Sequence, residues 1–81
     1  MTRGEYRVGI TFNPSNDDMV GKIKRAAADL IDLIETIGME NMALGALVAN
    51  PEVGRLKALA QTAIEEGAMW AVKAATKEPM T

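Results

Sequence analysis

The chain has 81 residues, a formal net charge of −2 at pH 7, and neither cysteine nor histidine. A chain of this length forms one domain and buries only about 60% of its unfolded surface as a monomer, so self-assembly would help to stabilise it. The two missing residue types exclude disulfides, the commonest zinc ligands and the usual general base. We therefore predict a protein that is not an enzyme and needs neither a metal nor a cofactor. The negative charge disfavours a broad face for long DNA or RNA.

The sequence shows no recognisable signal peptide and no membrane-spanning segment. The first residues carry no apolar run of signal-peptide length, and no stretch reaches the roughly 18 apolar residues of a membrane span. We expect a cytoplasmic protein.

The first 14 residues form a predicted N-terminal arm. Large apolar residues occupy every second position from Tyr6 to Phe12, the period of an extended strand with one buried face. Because a lone strand leaves its backbone groups unpaired, the arm either lies across the helices or pairs with another copy of the chain. Asn13 and Pro14 then end the extended run, since proline restricts its predecessor to non-helical geometry.

A long amphipathic helix is predicted for residues 15–37. Ser15 is its expected N-cap, Asp18 completes a capping box, and Gly38 follows its end. Its apolar stripe sweeps roughly 160°, which is broader than the stripe of about 100° needed to face one neighbour. One partner helix therefore cannot cover it, and we expect the protein not to be monomeric. The central positions of the stripe are Val20, Ile23, Ala27, Leu30, Ile31 and Ile34.

Residues 38–50 are predicted to be a linker that contains a short helix, and residues 51–77 a second long helix. The start of the second helix is the clearer signal, because Asn50 can cap it and Pro51 suits the first helical position.

The apolar stripe of the second helix is rich in small residues. Gly67 and Ala71 would allow another helix to approach closely, and Trp70 is predicted to lie in the core.

Three bases stand early in the first helix, namely Lys22, Lys24 and Arg25. Their simplest interpretation is a solvated face. Three acids follow the bases in the same helix, so its later half opposes the helix dipole, which suggests that something other than helix stability placed the bases there. These acids are Asp29, Asp32 and Glu35. Lys22 and Lys24 lie at opposite borders of the apolar stripe, where a lysine stem can cover the core and its ammonium can meet a phosphate. Arg55 and Lys57 form a second, less specific basic pair.

The aromatic residues of the arm also allow two interpretations. Tyr6 and Phe12 either anchor the arm or stack on a nucleobase beside the lysines. No catalytic motif accompanies them.

Two segments in this order resemble a known family. Phe12-Asn13-Pro14 is followed by KIKRAAADLIDLIE and, after a linker, by RLKALAQTAIEEGAMWAVKAATK. This arrangement resembles the helical-hairpin family of phage anti-defence sponges, which sequester the cyclic nucleotide signals of the CBASS and Thoeris systems. The resemblance covers residues 12–37 and 55–77, and its most specific part is EEGAMWA followed by Lys73-Ala74.

The resemblance implies a fold, an assembly and a site that binds a ligand without catalysing a reaction. The fold would be all-α, an antiparallel helical hairpin with an extended N-terminal arm. The assembly would be a homo-oligomer, typically a hexamer, with ligand pockets shared between protomers. An aromatic residue of the arm would stack on a base, and a lysine of the first helix would meet phosphate. The ligand-binding residues expected here are Phe12 or Tyr6, Lys24 or Lys22, and Asn13, Arg25 and Arg55.

Two classes of function follow from these observations. The first is a phage anti-defence sponge that evades host defence by holding a cyclic dinucleotide such as cGAMP, or a cyclic trinucleotide or cyclic ADP-ribose isomer, without degrading it. The second is a helical-hairpin assembly or adaptor protein with no small-molecule ligand. A sponge should gain thermal stability from a cyclic nucleotide, whereas an adaptor should be indifferent to it.

Overall fold

The computed structural model describes residues 1–38 and 50–80, and this part of the chain is helical without any strand. Helix α1 spans Arg3–Val8, α2 spans Asp18–Glu35 and α3 spans Pro51–Ala75. The all-α fold class is thereby confirmed. The short helix predicted between the two long helices falls almost entirely outside the described residues. None of the helices described is long and apolar enough to cross a membrane.

Helix α1 lies where the sequence pattern predicts an extended arm, so the prediction of a strand from Tyr6 to Phe12 was wrong. The Thr2 hydroxyl accepts a hydrogen bond from the Glu5 N–H, and the Glu5 carboxylate accepts one from the Thr2 N–H, which together form a capping box. Gly9 then ends the helix in the left-handed region at φ 64°. These two local signals favour a helix over the strand that the alternation of apolar residues predicts.

A six-residue helix is marginal by itself, and α1 depends on its contact with α2. The N–H of Gly4 donates to the Asp32 carboxylate at 2.8 Å. Gly4 is buried, and a β carbon at this position would lie 2.1 Å from the carbonyl oxygen of Ala28. Arg25 of α2 also pairs with Glu5 of α1 at 2.8 Å. The first helix is therefore seated on α2 by backbone approach as well as by charge.

Helix α2 begins later than the sequence pattern predicts, because Asp17 rather than Ser15 is its N-cap. The Asn13 amide donates to the Asp17 carbonyl at 2.9 Å, and the Asn13 side-chain oxygen accepts from the Asp17 N–H at 3.1 Å. Asn16 completes this turn in the left-handed region at φ 51°. The turn occupies the residues expected for the first helical turn, so the helix starts at Asp18.

The other helix boundaries agree more closely with the sequence pattern. Helix α2 ends at Glu35, two residues before the predicted end, and Gly38 takes the expected positive φ of 84°. The prediction for the start of α3 is confirmed, since the Asn50 side chain accepts a hydrogen bond from the Glu52 N–H and Pro51 is the first helical residue.

Most of the core of this single chain lies on α2. Ile31 and Ala28 are fully buried, and Val20 and Ala27 are nearly so. From α3, the buried Gln61 side chain donates to the Ile31 carbonyl oxygen at 3.2 Å and to the Glu35 carboxylate at 2.7 Å. These bonds satisfy an amide that would otherwise be costly to bury.

Contacts between α2 and α3 continue towards both ends. Lys57, near the start of α3, donates to the carbonyl oxygens of Glu35 and Ile37 at 2.9 and 2.8 Å. Val72, near the end of α3, lines a pocket together with Val20, near the start of α2.

The apolar stripe of α3 is largely uncovered within one chain. Trp70 is 56% exposed, so the prediction that it is a core residue is wrong for the isolated chain. Its indole N–H faces Glu66 at 3.4 Å, and the Lys73 ammonium lies 5.4 Å from the ring centroid. None of the described residues comes within 4 Å of a β carbon built on Gly67, so the close helix approach expected there does not occur within residues 1–38 and 50–80.

Candidate functional site

Phe12 and Lys24 form the centre of the candidate site. The Phe12 ring is 70% exposed, although it belongs to the turn that joins α1 to α2. Lys24 is only 7% exposed, and its ammonium lies 5.4 Å from the Phe12 ring centroid. The same ammonium donates to the carbonyl oxygens of Gly9, at 3.0 Å, and of Phe12. The arrangement presents an aromatic face to solvent above a buried positive charge.

Two pockets meet at this centre. The smaller one, of about 310 Å³, is lined by Phe12 together with Pro14, Val20 and Thr76. The larger one, of about 560 Å³, is lined by Arg7 of α1 and by residues of α3 that include Glu65 and Met69. Lys24 and Val72 line both pockets. The cation is therefore common to two concave surfaces.

The larger pocket contains polar residues that the sequence pattern does not single out. The Arg7 guanidinium donates to the Glu65 carboxylate at 2.9 Å and to the Thr62 hydroxyl at 3.3 Å. Arg7 reaches them because α1 is helical and seated beside α3. The capping box at Thr2 and Glu5 is the signal that could have indicated this placement, because it predicts a helix and hence a different direction for Arg7.

Tyr6 lies apart from Phe12. Its ring is 77% exposed and lines a different pocket with Met1, Thr2, Arg3 and Arg7. Of the two aromatic residues considered for stacking, only Phe12 stands beside a lysine of α2.

Lys22, Arg25 and Asn13 line a third, open pocket at the start of α2. Arg25 is already paired, since it contacts Glu5 and Asp29, both at 2.8 Å. The hydrogen bond from Arg25 lowers the pKa of Glu5 to about 2, and the same contacts raise the pKa of Arg25. Lys22 is exposed. Asn13 lines both this third pocket and the smaller pocket beside Phe12.

Arg55 is engaged elsewhere. It lies on the first turns of α3, where its guanidinium donates to Glu52 at 3.0 Å. This hydrogen bond lowers the pKa of Glu52 and raises that of Arg55. Arg55 does not line either of the two pockets that meet at Lys24.

The structure thus brings together part of the predicted set. Phe12, Lys24 and Asn13 share one pocket, whereas Lys22 and Arg25 share the neighbouring one with Asn13. Tyr6 and Arg55 line neither of these two pockets. Val72 and Thr76, which lie opposite Phe12, were not predicted, because an aliphatic residue and a threonine in a long helix carry no signal of their own.

Comparison with known proteins gives one match. The family model described as "Acb2/Tad1, hairpin domain" matches residues 5–76, which is most of the chain. No curated protein and no solved structure matches the chain.

The matched range contains α2 and α3, the turn that carries Phe12, and most of α1. This range agrees with the resemblance found in the sequence, which begins at residue 12, and extends further towards the N-terminus. Members of this family are phage anti-defence proteins that bind cyclic nucleotides in general. They act as sponges and are not known as enzymes. The chain belongs to the Acb2/Tad1 hairpin-domain family of phage anti-CBASS and anti-Thoeris sponges.

Proposed function

We propose that this protein sequesters cyclic nucleotide immune signals in the host cytoplasm and does not degrade them. Membership of the Acb2/Tad1 hairpin-domain family supports the general activity. The observation that carries the proposal for this chain is the exposed Phe12 ring beside the buried Lys24 ammonium. A solvent-facing aromatic ring suits stacking on a flat base, and positive charge close to it favours an anionic ligand such as a nucleotide. Cyclic dinucleotides such as cGAMP are the first candidates, followed by cyclic trinucleotides and cyclic ADP-ribose isomers.

The size of the pocket beside Phe12 favours a site shared between copies. At about 310 Å³ it is at the lower end of ligand pockets, which range from roughly 300 to 1,000 Å³. A cyclic dinucleotide has two bases and two phosphates in near two-fold symmetry. Two protomers, each contributing one Phe12 ring and the cations of α2, would match that symmetry.

Exposed apolar side chains support self-assembly. Within the part of the chain that the structure describes, several large apolar residues of α2 and α3 face solvent in the single chain. Monomeric proteins rarely expose extended apolar patches, so a second copy is a reasonable cover for these faces. We propose a homo-oligomer, with the hexamer as the form that the family suggests. The exposed large apolar residues of α2 and α3 are Met19, Leu30, Leu33, Leu56, Leu59, Met69 and Trp70.

We further propose that α2 and α3 form an antiparallel hairpin in each protomer. The order of their contacts supports this arrangement, because Lys57 meets the end of α2 whereas Val72 lies near its start. The hairpin would present the turn at Phe12 next to the last turns of α3.

A thermal-shift panel tests the proposed function. The purified protein is melted alone and with cyclic dinucleotides, cyclic trinucleotides and cyclic ADP-ribose isomers, and with linear dinucleotides of the same bases as controls. A sponge gains stability as RT ln(1 + [L]/Kd), which is about 2.7 kcal/mol at 100 Kd. We expect at least one cyclic ligand to raise the melting temperature and its linear counterpart to have little effect. Indifference to every cyclic ligand would favour the adaptor alternative, for which the exposed apolar faces are the binding surface.

A further inference from the structure

Among the cations that the structure describes, Lys24 is unusual because it is buried and pairs with none of the described carboxylates. Lysine is rarely buried unless its charge is satisfied. Here the ammonium donates to two main-chain carbonyl oxygens, those of Gly9 and Phe12. Two of its three N–H groups are therefore used within the chain.

The two carbonyl groups belong to one turn. The Phe12 N–H donates to the Gly9 carbonyl oxygen at 2.9 Å, which closes residues 9–12 into a β-turn directly after α1. Gly9 also ends α1, where carbonyl groups lack partners within the helix. Lys24 supplies donors to both ends of this turn, and so it ties the segment that carries the Phe12 ring to α2.

Lys22 is placed differently. It is exposed and lies two residues before Lys24, so the two side chains leave α2 roughly 200° apart. Lys22 lines the open pocket with Asn13 and Arg25, whereas Lys24 lies beneath the turn. The two lysines therefore differ in their surroundings and can have different roles in ligand binding.

We propose that Lys24 is a positioning residue, which holds the Gly9–Phe12 turn so that the Phe12 ring can stack on a ligand base, and that Lys22 is the lysine that contacts the ligand phosphate. This inference rests on the proposed function for its ligand. If Lys24 turned towards a phosphate, the Phe12 carbonyl oxygen would lose this donor and the Gly9 carbonyl oxygen would lose one of its two donors, which is unfavourable in a partly buried site. Lys22 loses no such hydrogen bonds on binding.

Amide hydrogen exchange tests the positioning role without any ligand. Lys24→Met keeps the apolar stem and removes the donors, and Lys22→Met is the matched control on the same helix. In Lys24→Met we expect the Phe12 amide to exchange at least about tenfold faster, with the amides of α3 unchanged. Lys22→Met should leave exchange in the turn as in the wild type. Unchanged exchange at Phe12 in Lys24→Met would overturn the proposal.

A measurement on the wild type guards against a variant that fails to fold. The hydrogen-bonded ammonium protons of Lys24 should exchange with water more slowly than those of Lys22, as seen in ¹H–¹⁵N spectra of lysine side chains. Equal and fast exchange for both ammonium groups would contradict the buried arrangement and overturn the proposal, whatever the variants do.

Calorimetric titration with a cyclic dinucleotide at low and high salt then separates the two roles. Lys24→Met should weaken binding roughly 5- to 150-fold, as for the loss of a stacking ring, and keep the wild-type salt dependence. Lys22→Met should weaken binding and flatten the salt dependence, because it removes a phosphate contact. The reverse assignment of salt effects would overturn the proposal. If the wild type bound no cyclic nucleotide while the exchange results held, the proposed function would fail but the hold of Lys24 on the turn would stand.

Discussion

The backbone of Gly4 packs directly against that of Ala28, so that a β carbon on Gly4 would lie 2.1 Å from the Ala28 carbonyl oxygen. This approach joins α1 to α2 and sets the direction of the turn that follows α1. The position of Phe12 therefore depends on Gly4, which lies eight positions earlier and has no side chain.

Replacing Gly4 by alanine should consequently displace α1. The added methyl group meets backbone, which cannot move aside as a flexible side chain can, and overpacking of this kind costs about 1–3 kcal/mol. The change in unfolding free energy is measured by urea denaturation.

Gly54→Ala is the matched control, because a β carbon on Gly54 meets none of the described residues within 4 Å and helical alanine is favoured over glycine by about 0.5–1 kcal/mol. Equal effects of the two substitutions would show that α1 does not rest on α2 at Gly4.

The pairing of Glu5 with Arg25 should make stability depend on pH. Arg25 lowers the pKa of Glu5 to about 2 from an ordinary value of 4.5. Between these values the unfolded chain binds a proton that the folded chain does not, so stability falls as pH falls from about 4.5 to about 2. The hydrogen bond from Gln61 lowers the pKa of Glu35 too, and therefore acts in the same direction.

Glu5→Gln should make this acid dependence shallower. Glutamine can still accept the hydrogen bond from the Thr2 N–H, so the capping box is kept while the charge is lost. Urea unfolding over a series of pH values measures the slope, and Glu78→Gln in the exposed C-terminal tail is the control that should keep the wild-type slope. An unaltered slope in Glu5→Gln would exclude a role for the Glu5–Arg25 pair in acid sensitivity.

How far the fold could be predicted from the sequence differs between its helices. Helix α3 was predictable at its start, because the N-cap at Asn50 and the proline at Pro51 act locally. The arm was not, because its apolar alternation predicts a strand whereas the capping box at Thr2 and Glu5 predicts a helix. Contact with α2 at Gly4 decides between these signals, and such long-range packing is not visible in a local pattern.

The candidate site shows the same limit. The exposed aromatic residue and the bases of α2 could be predicted as a group. Which lysine is buried could not be, since the partners of Lys24 are main-chain carbonyls that leave no mark in the sequence. The exposure of Trp70 was also beyond prediction, because an apolar helix face looks the same whether it faces its own chain or another copy.

Burial predicts a large loss of stability at one residue of α2 and a small loss two positions further along. Ile31 is fully buried in the chain, and Ile31→Ala should lower the unfolding free energy by about 2–5 kcal/mol. Leu33 is 64% exposed, so Leu33→Ala should cost the isolated chain little. Urea denaturation at the lowest practical protein concentration measures both. A larger loss for Leu33→Ala than for Ile31→Ala would contradict the packing described for α2 against α3.

Assembly gives an independent test. We expect light scattering to return a mass well above the 8.7 kDa of one chain, because the exposed faces of α2 and α3 need cover. Replacing Leu33 and Trp70 by serine should lower that mass and leave the helical circular dichroism signal largely unchanged. A monomeric wild type at micromolar concentration would refute the shared site.

Removal of the Phe12 ring should weaken ligand binding. Stacking on a base is worth about 1–3 kcal/mol, so Phe12→Ala should raise the Kd for a cyclic dinucleotide roughly 5- to 150-fold in calorimetric titration. Tyr6→Ala is the comparison, since Tyr6 is as exposed as Phe12 but stands away from Lys24. A larger loss for Tyr6→Ala would move the stacking site to the pocket at the start of α1.

Recovery of the ligand tests the central claim most directly. The protein is mixed with a cyclic dinucleotide, separated from free ligand by gel filtration and denatured by heat, and the released nucleotide is identified by chromatography and mass spectrometry. The account requires that the ligand travels with the protein and returns as the intact cyclic molecule, since the chain has no histidine or cysteine and no recognised catalytic motif. Release of a linear, hydrolysed nucleotide would contradict sequestration and indicate an enzyme.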